Sequence, residues 1–148
     1  MNISTTKHLT DKQLRQINDL WDTEYQQTLN GRFPQLLDGV SDYCHYIVEQ
    51  QDKVLAWAAY FRKDEEVRFS IIVAADQQGN GIGKQLVDQL KNDLPCFYGW
   101  VVDHNNHLKA DGTYYLSPLQ FYINQGFEIL HDQRIDNEML SAVKIRWR

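Results

Sequence analysis

The stretch "DQQGNGIGKQ" (residues 76–85) carries glycines at alternate positions with a lysine directly behind them: Gly79, Gly81, Gly83 and Lys84. An apolar, strand-like run ends just before it at Val73, and helical spacing of apolar residues follows it over residues 81–90. A glycine inside an element costs about 1 kcal/mol relative to alanine, so three in so short a stretch indicate close approach of a ligand to the main chain. Amides at a helix start lack partners within the helix and form a ready phosphate site.

Two familiar phosphate-binding patterns do not fit this stretch. The dinucleotide pattern GxGxxG requires a glycine where Lys84 stands. The P-loop pattern GxxxxGK[ST] requires a glycine and a serine or threonine where Gln78 and Gln85 stand. The glycines therefore predict an anion site of another kind.

Outward from the glycines, the sequence predicts alternating strands and helices. A capping box formed by Thr10 and Gln13 predicts a helix over residues 11–25, and Ser117 is predicted to cap another helix whose first residue is Pro118. Strands are predicted over residues 43–50, 53–62, 65–73, 96–102, 127–135 and 139–148, the first two as a hairpin. This order predicts a mixed α/β sheet with a central crossover.

Composition limits the classes of function. A chain of 148 residues suits one domain, and a net charge of -5 with a pI near 5.4 argues against nucleic acid as a partner. The sequence contains no apolar run of the roughly 20 residues that span a membrane, and its start lacks the apolar core of a signal peptide. Cys44 and Cys96 are too few for a disulfide framework and lack metal-ligand spacing, so a reduced, cytoplasmic setting is expected.

Two motifs together resemble the GNAT acetyltransferase superfamily. Gln78, Gly81 and Gly83 match the pattern Q/R-x-x-G-x-G/A at the end of the family's fourth strand. The segment "YINQGF" supplies Tyr122 and the Gly-Phe pair of the family's Y-x-x-x-G-F pattern. One helix and one strand separate the two motifs, as in the family, and the resemblance covers roughly residues 67–130.

The resemblance implies a single GNAT-like domain over residues 1–148. Its sheet is expected to be mixed and mostly antiparallel, with about six to seven strands, flanking helices and a splayed central strand pair. Acetyl-CoA is the implied acyl-donor cosubstrate, with no metal. Its pyrophosphate is expected on the amides of residues 78–84, and its pantetheine arm on the exposed amides of the fourth strand, one of which would polarise the thioester. The implied cofactor-binding residues are Ile72, Val73, Ala74, Gln78, Gly79, Asn80, Gly81, Ile82, Gly83 and Lys84.

The implied function is transfer of an acetyl group to a primary amine by direct attack in a ternary complex. The acceptor is a small-molecule or peptide amine, and small amine, polyamine, antibiotic and peptide amino terminus all stay open. The alternative is a non-catalytic acyl-CoA-binding sensor or interaction module, which would keep the glycines but need no acid or base. A homodimer is a family expectation only.

Candidate catalytic residues follow from the chemistry. An ammonium must lose a proton before it attacks, and the departing thiolate benefits from an acid, for which Tyr122 is the candidate. His104 is the first candidate for the base and Asp103 for the acceptor anchor, because both follow the strand "GWVV". Glu66 opens the preceding strand and would lie some 20 Å from its far end, too far for direct action. The predicted acceptor-binding residues are Trp21, Glu24, Tyr25 and Asp103.

Two features depart from the family pattern. Tyr115 stands where family members often place an asparagine. The polar connection over residues 104–116 is unusually long and is a candidate wall of the acceptor pocket. Within it, His104 and His107 lie near Asp103, but a solvated loop is the favoured interpretation over a metal site.

Overall fold

A computed structural model describes residues 2–148 of the protein. The strands are β1 (Ile3–Thr6), β2 (Ser41–Gln50), β3 (Lys53–Lys63), β4 (Glu66–Val73), β5 (Phe97–Val102), β6 (Glu128–Asp136) and β7 (Ser141–Trp147). The helices are α1 (Asp11–Glu24), α2 (Phe33–Leu36), α3 (Ile82–Asp93) and α4 (Leu119–Asn124). All seven strands form one sheet in the order β1-β2-β3-β4-β5-β7-β6. Every neighbouring pair is antiparallel except β4 and β5, which are parallel and joined through α3.

The helices cover opposite faces of the sheet. On one face, Ile17 and Trp21 of α1 and Phe33 of α2 pack on Trp57 and Ile72. On the other face, the apolar side of α3 packs with the aromatic residues of the α4 region: Ile82, Leu86, Val87, Leu90, Tyr122 and Phe127. The predicted mixed, mostly antiparallel sheet with flanking helices is confirmed.

The predicted boundaries need small corrections. The strand β1 was not predicted, because it has only four residues and a single apolar one, Ile3, which gives no alternating pattern. The helix α4 begins at Leu119 rather than Pro118, and its N-cap residue is Pro118 rather than Ser117. The Ser117 hydroxyl lies one residue before the cap and accepts a hydrogen bond from the Leu119 amide at 3.2 Å. No helix within residues 2–148 has the length and apolar character needed to cross a membrane.

The splayed strand pair is present between β4 and β5. β4 pairs with β3 at every residue from Glu66 to Val73, but with β5 only through Arg68 and Tyr98. The Phe69 ring fills the space beside the single contact, and a Cβ on Gly99 would lie 2.5 Å from its Cε1 atom. Glycine in β5 therefore makes room for an aromatic ring, and the strands diverge beyond it.

Candidate active site

A cavity of about 740 Å³ fills the gap between the diverging strands. It runs from the glycine stretch, along the open edge of β4, to the end of α1 and the loop before α4. Its lining includes Tyr25, Ile71, Val73, Gly81, Gly83, Val101, Tyr115 and Tyr122. One continuous space thus joins the predicted anion site to the predicted acceptor site.

The open edge of β4 presents the backbone groups of alternate residues. The Ala74 amide donates to the Leu55 carbonyl at 2.9 Å, so Ala74 belongs to the edge that faces β3. Because hydrogen bonding alternates along an antiparallel strand, Ile72 faces β3 as well, whereas Ile71 and Val73 face the cavity. This corrects the predicted set: the amides of Ile72 and Ala74 are directed at β3, and Ile71 joins Val73 at the open edge.

Two side chains occupy the carbonyls of that edge. The Tyr25 hydroxyl donates to the Ile71 carbonyl at 3.1 Å, and the Gln78 side-chain amide donates to the Val73 carbonyl at 3.1 Å. With both carbonyls occupied, the N–H groups of Ile71 and Val73 remain as donors toward the cavity. The glutamine of the glycine motif therefore holds the end of β4 in position.

The glycine stretch leaves the first backbone amides of α3 exposed. Gly79 and Gly81 have left-handed φ values of +87° and +80°, a conformation that glycine adopts without strain. The first hydrogen bond of the helix runs from the Gln85 amide to the Gly81 carbonyl at 3.0 Å, which leaves the three amides before it without helical partners. Lys84 adds a positive charge, paired with Asp88 at 2.7 Å. Asn80 is exposed and lies outside the cavity lining in the described residues.

Three tyrosines surround the middle of the cavity. Tyr122 is buried, and its ring packs edge-on against Phe69 and Phe127. Burial raises the pKa of the Tyr122 hydroxyl well above its ordinary value, and burial also raises the pKa values of Tyr25 and Tyr115. All three hydroxyls therefore keep their protons at neutral pH.

The end of α1 borders the same cavity through Trp21, Glu24 and Tyr25, three of the residues expected to bind the acceptor. Glu24 is buried; one of its carboxylate oxygens accepts from the Ala75 amide at 2.9 Å and the other from the Lys109 ammonium at 3.2 Å. Among residues 2–148, Glu24 is the single carboxylate in the cavity lining. It is the natural group in this cavity to attract an ammonium.

The long loop over residues 104–116 packs against the chain that follows α1. The Gln27 amide donates to the Leu108 carbonyl at 2.7 Å, and Gln26 forms an isolated β-bridge with Lys109. The loop thereby brings Tyr115 to the cavity, 5.9 Å from the Tyr25 ring between centroids. The residue at the family's asparagine position is thus part of the cavity wall.

A family model for the acetyltransferase (GNAT) domain matches residues 41–129. The chain belongs to the GNAT acetyltransferase family. The predictions of family, fold and acyltransferase class are confirmed.

Solved GNAT structures superpose on almost the whole chain. An aminoglycoside 6'-N-acetyltransferase complexed with coenzyme A aligns with a TM-score of 0.69 at 15% identity, covering 99% of this chain and 96% of its own. Escherichia coli ElaA aligns with a TM-score of 0.68 at 16% identity, covering 100% of both chains. A ribosomal-protein-alanine N-acetyltransferase from Brucella melitensis aligns with a TM-score of 0.64 at 17% identity, covering 99% of both chains. These likenesses show a shared fold, and no curated protein sequence matches the chain.

Asp103 and His104 of this GNAT domain do not reach the cavity. The Asp103 carboxylate accepts two hydrogen bonds from the Arg134 guanidinium, at 2.7 and 3.2 Å, and these hold its pKa below the ordinary value. The His104 Nδ1 atom accepts from the Asn106 amide at 3.1 Å, with the His107 ring 5.1 Å away. This corrects their predicted placement beside the acceptor. No group of three or more His, Cys, Asp or Glu side chains in residues 2–148 is arranged to hold a metal ion.

The sequence analysis missed the cationic part of the cavity lining. Lys63 of β3 and Arg68 of β4 both line it, together with Phe61 and Trp100. The available signal was the alternation of Glu66, Arg68 and Ser70 with apolar residues, which places these polar side chains together on one face of β4. Their location on the face that carries α1 depends on strand register, which the sequence does not show.

Proposed function

We propose that this protein transfers an acetyl group from acetyl-CoA to a primary amine by direct attack in a ternary complex. The observation that carries the proposal is the continuity of the cavity: unpartnered amides at the start of α3, two donors on the open edge of β4, and a buried carboxylate at the end of α1. The α3 amides and the β4 donors suit an anionic cofactor with a polar arm, and the carboxylate suits a cationic acceptor.

The cofactor would be held mainly by backbone groups. The amides of residues 79–84 and the Lys84 charge would bind the pyrophosphate at the positive end of α3. The N–H groups of Val73 and Ile71 would pair with the pantetheine arm as an added strand does. The N–H group nearest the thioester would stabilise the negative charge that develops on its carbonyl oxygen.

The chemistry needs one acid in the cavity and one proton removed from the acceptor. The neutral amine attacks the thioester carbonyl carbon, the carbon–sulfur bond breaks, and the thiolate leaves. Tyr122 would give its proton to that sulfur and regain one from the attacking nitrogen through solvent, so that an amide and a thiol result. The one proton released overall is the proton that the acceptor ammonium loses before it attacks. Glu24 would hold the acceptor ammonium before that proton is lost, with the acceptor replacing the Lys109 ammonium that lies 3.2 Å from its carboxylate in the free protein.

Aminoglycosides, small amines, polyamines and peptide amino termini all belong in the test panel, since structurally similar enzymes are named for the first and for a ribosomal protein. Release of free thiol from acetyl-CoA is measured with each amine and without any. We expect release that depends on the amine, together with thermal stabilisation by acetyl-CoA alone. Stabilisation by acetyl-CoA without thiol release for any amine would favour the sensor alternative.

A further inference from the structure

We propose that the acceptor carries an acidic group in addition to its amine, and that Arg68 and Lys63 bind this acid. The inference rests on the proposed function, whose acceptor it specifies as an extended amino acid rather than a polyamine. It starts from the charge of the cavity lining on the face of the sheet that carries α1.

Arg68 and Lys63 lie on the same face of neighbouring strands. Register pairs Phe61 with Arg68 and Lys63 with Glu66, and paired residues of an antiparallel ladder point to the same side of the sheet. Arg68 and Lys63 are therefore diagonal neighbours, at a spacing of roughly 7–8 Å that lets long side chains converge on one ligand. Both line the cavity.

The Arg68 guanidinium is held in place by two carboxylates but keeps N–H donors that have no partner within residues 2–148. Its Nε atom donates to Glu66 at 2.8 Å, and its Nη2 atom donates to the exposed Asp64 at 3.3 Å. Its Nη1 atom makes no hydrogen bond within residues 2–148, and guanidinium groups favour bidentate binding of carboxylates. Glu66 is also bound by Lys144, at 2.8 Å, so this carboxylate is shared between two cations.

Lys63 adds a second charge without a counter-ion. No carboxylate of residues 2–148 lies within ion-pair distance of its ammonium. The one carboxylate of the lining, Glu24, is occupied by Lys109 and the Ala75 amide at the other end of the cavity. Glu66 and Asp64 offset the charges of Arg68 and Lys144, so the Lys63 ammonium is the charge in this part of the lining that no carboxylate of residues 2–148 balances. An acid would complete the pairing there, whereas a polycation would not.

The separation along β4 sets the length of the acceptor. Arg68 precedes Ile71 by three residues, about 10 Å along the strand. The Arg68 guanidinium is bonded to Glu66 and Asp64, on the side away from Ile71, so the side chain does not shorten this distance. An acceptor with its amine at the thioester and its acid at the guanidinium is therefore an extended amino acid with several bonds between the two groups. Trp100 and the buried Phe61 provide apolar surface beside it.

The experiment compares matched acceptors that differ only in charge. β-Alanine, 6-aminohexanoic acid and glycylglycine are each tested beside their carboxamides, with spermidine as the polycation, by thiol release from acetyl-CoA. We expect at least one acid to exceed its carboxamide in kcat/KM by about 10- to 100-fold, the scale of one lost charged hydrogen bond. Arg68→Gln should remove that preference by raising the KM of the acid, with little change in kcat or in acetyl-CoA affinity. Arg68→Lys should restore part of it, and Lys63→Gln should weaken it less than Arg68→Gln.

The control variant is Arg62→Gln, which removes the same charge from the opposite face of β3, the strand that carries Lys63. Arg62 is half-exposed, pairs with Asp42 at 3.4 Å and lies outside the cavity lining of the described residues. We expect it to keep the preference for acids. Equal or better use of the carboxamides or spermidine would overturn the inference and leave the proposed function standing.

Binding measurements separate the remaining outcomes. If no amine supports thiol release, calorimetry of the same acids against the CoA-saturated protein tests the Arg68 site alone. Binding of an acid that is lost in Arg68→Gln would support the acid site while the proposed transfer fails. Absence of both binding and release would overturn both.

Discussion

Along its edge toward β3, β4 pairs at every residue from Glu66 to Val73, whereas along its edge toward β5 it pairs only at Arg68. The backbone groups of the two edges are chemically identical, but those of the first stabilise the sheet and those of the second are left for other partners. On the open edge, carbonyls are occupied by Tyr25 and Gln78, and the N–H groups face a cavity. Changes near the paired edge should therefore alter stability, and changes near the open edge should alter binding and turnover.

The largest expected effect lies at the open edge. Tyr122→Phe keeps the ring that packs on Phe69 and Phe127 but removes the proton donor. We expect kcat to fall by roughly 10²-fold, the usual scale for a general acid, with acetyl-CoA affinity unchanged. Steady-state thiol release and calorimetry measure the two quantities.

Tyr60→Phe is the matched control, because Tyr60 lies on β3 outside the cavity lining of the described residues. It should leave kcat as in the wild type. If Tyr122→Phe also retains full turnover while chemistry limits the rate, Tyr122 is an aromatic core residue and the acid lies elsewhere.

The second effect belongs to the paired half of the sheet and concerns pH. His45 of β2 is buried, accepts a hydrogen bond from the Trp57 indole at 3.0 Å, and burial lowers its pKa from 6.5 to about 4. The unfolded chain binds a proton at His45 below pH 6.5, whereas the folded protein does so only near pH 4, so stability falls as the pH drops through this range. We expect a loss of about 2 kcal/mol at pH 5 relative to pH 7.5.

Urea unfolding at both pH values measures this loss. His45→Gln keeps an acceptor for the Trp57 indole but does not titrate, so its stability should change much less between the two values. An equal change in wild type and variant would assign the pH dependence to other groups.

The contrast between the edges also explains which features the sequence predicts. The glycine stretch and Tyr122 were identified because each belongs to a local pattern within a few residues. The direction of the β4 amides was not identified, because it depends on the register between β3 and β4. A shift of that register by one residue exchanges the residues that face β3 with those that face the cavity. The prediction therefore included Ala74, whose amide bonds to Leu55, and omitted Ile71.

Long-range ion pairs limited the prediction in the same way. Asp103 follows a strand that opens onto the cavity, which made it a reasonable acceptor anchor. Its partner Arg134 lies 31 residues later, on β6, and no local pattern reveals that pairing. Arg68 is the opposite case: it was not predicted as a site residue but lines the cavity. Its position there depends on the divergence of β4 and β5, which no local pattern reveals.

The third effect tests the start of α3. Gly81 has a φ of +80°, and no atom lies within 4 Å of where its Cβ would be, so valine would strain the backbone without a clash in the free protein. With acetyl-CoA bound, the added side chain would hinder close approach of the phosphates. We expect Gly81→Val to weaken acetyl-CoA binding by about tenfold, or about 1.4 kcal/mol.

Gly112→Val is the matched control, because Gly112 has a φ of +84° and equally open surroundings in the loop over residues 104–116. It should carry a similar folding cost with normal acetyl-CoA affinity. Thermal shift and calorimetry on both variants separate strain from binding. Equal affinity in the two variants would remove the glycine stretch from the cofactor site.

The smallest effect is expected at Asp103, at the end of β5 but outside the cavity. Asp103→Asn removes the charge that binds Arg134, a pair at the surface, so the Tm should fall by a few degrees at most. The hydrogen bonds from Arg134 hold the Asp103 pKa below its ordinary value of 3.8, so this stabilisation is present above that pH and is lost as the pH falls through the lower, folded pKa. The difference in Tm between wild type and variant should accordingly shrink in strong acid.

The KM of the acceptor should not change in Asp103→Asn, because the carboxylate is directed at β6 rather than at the open edge of β4. A clear rise in that KM, at unchanged acetyl-CoA affinity, would instead mean that Asp103 releases Arg134 and binds the acceptor during turnover. The binding region would then include the end of β5 as well as the open edge of β4.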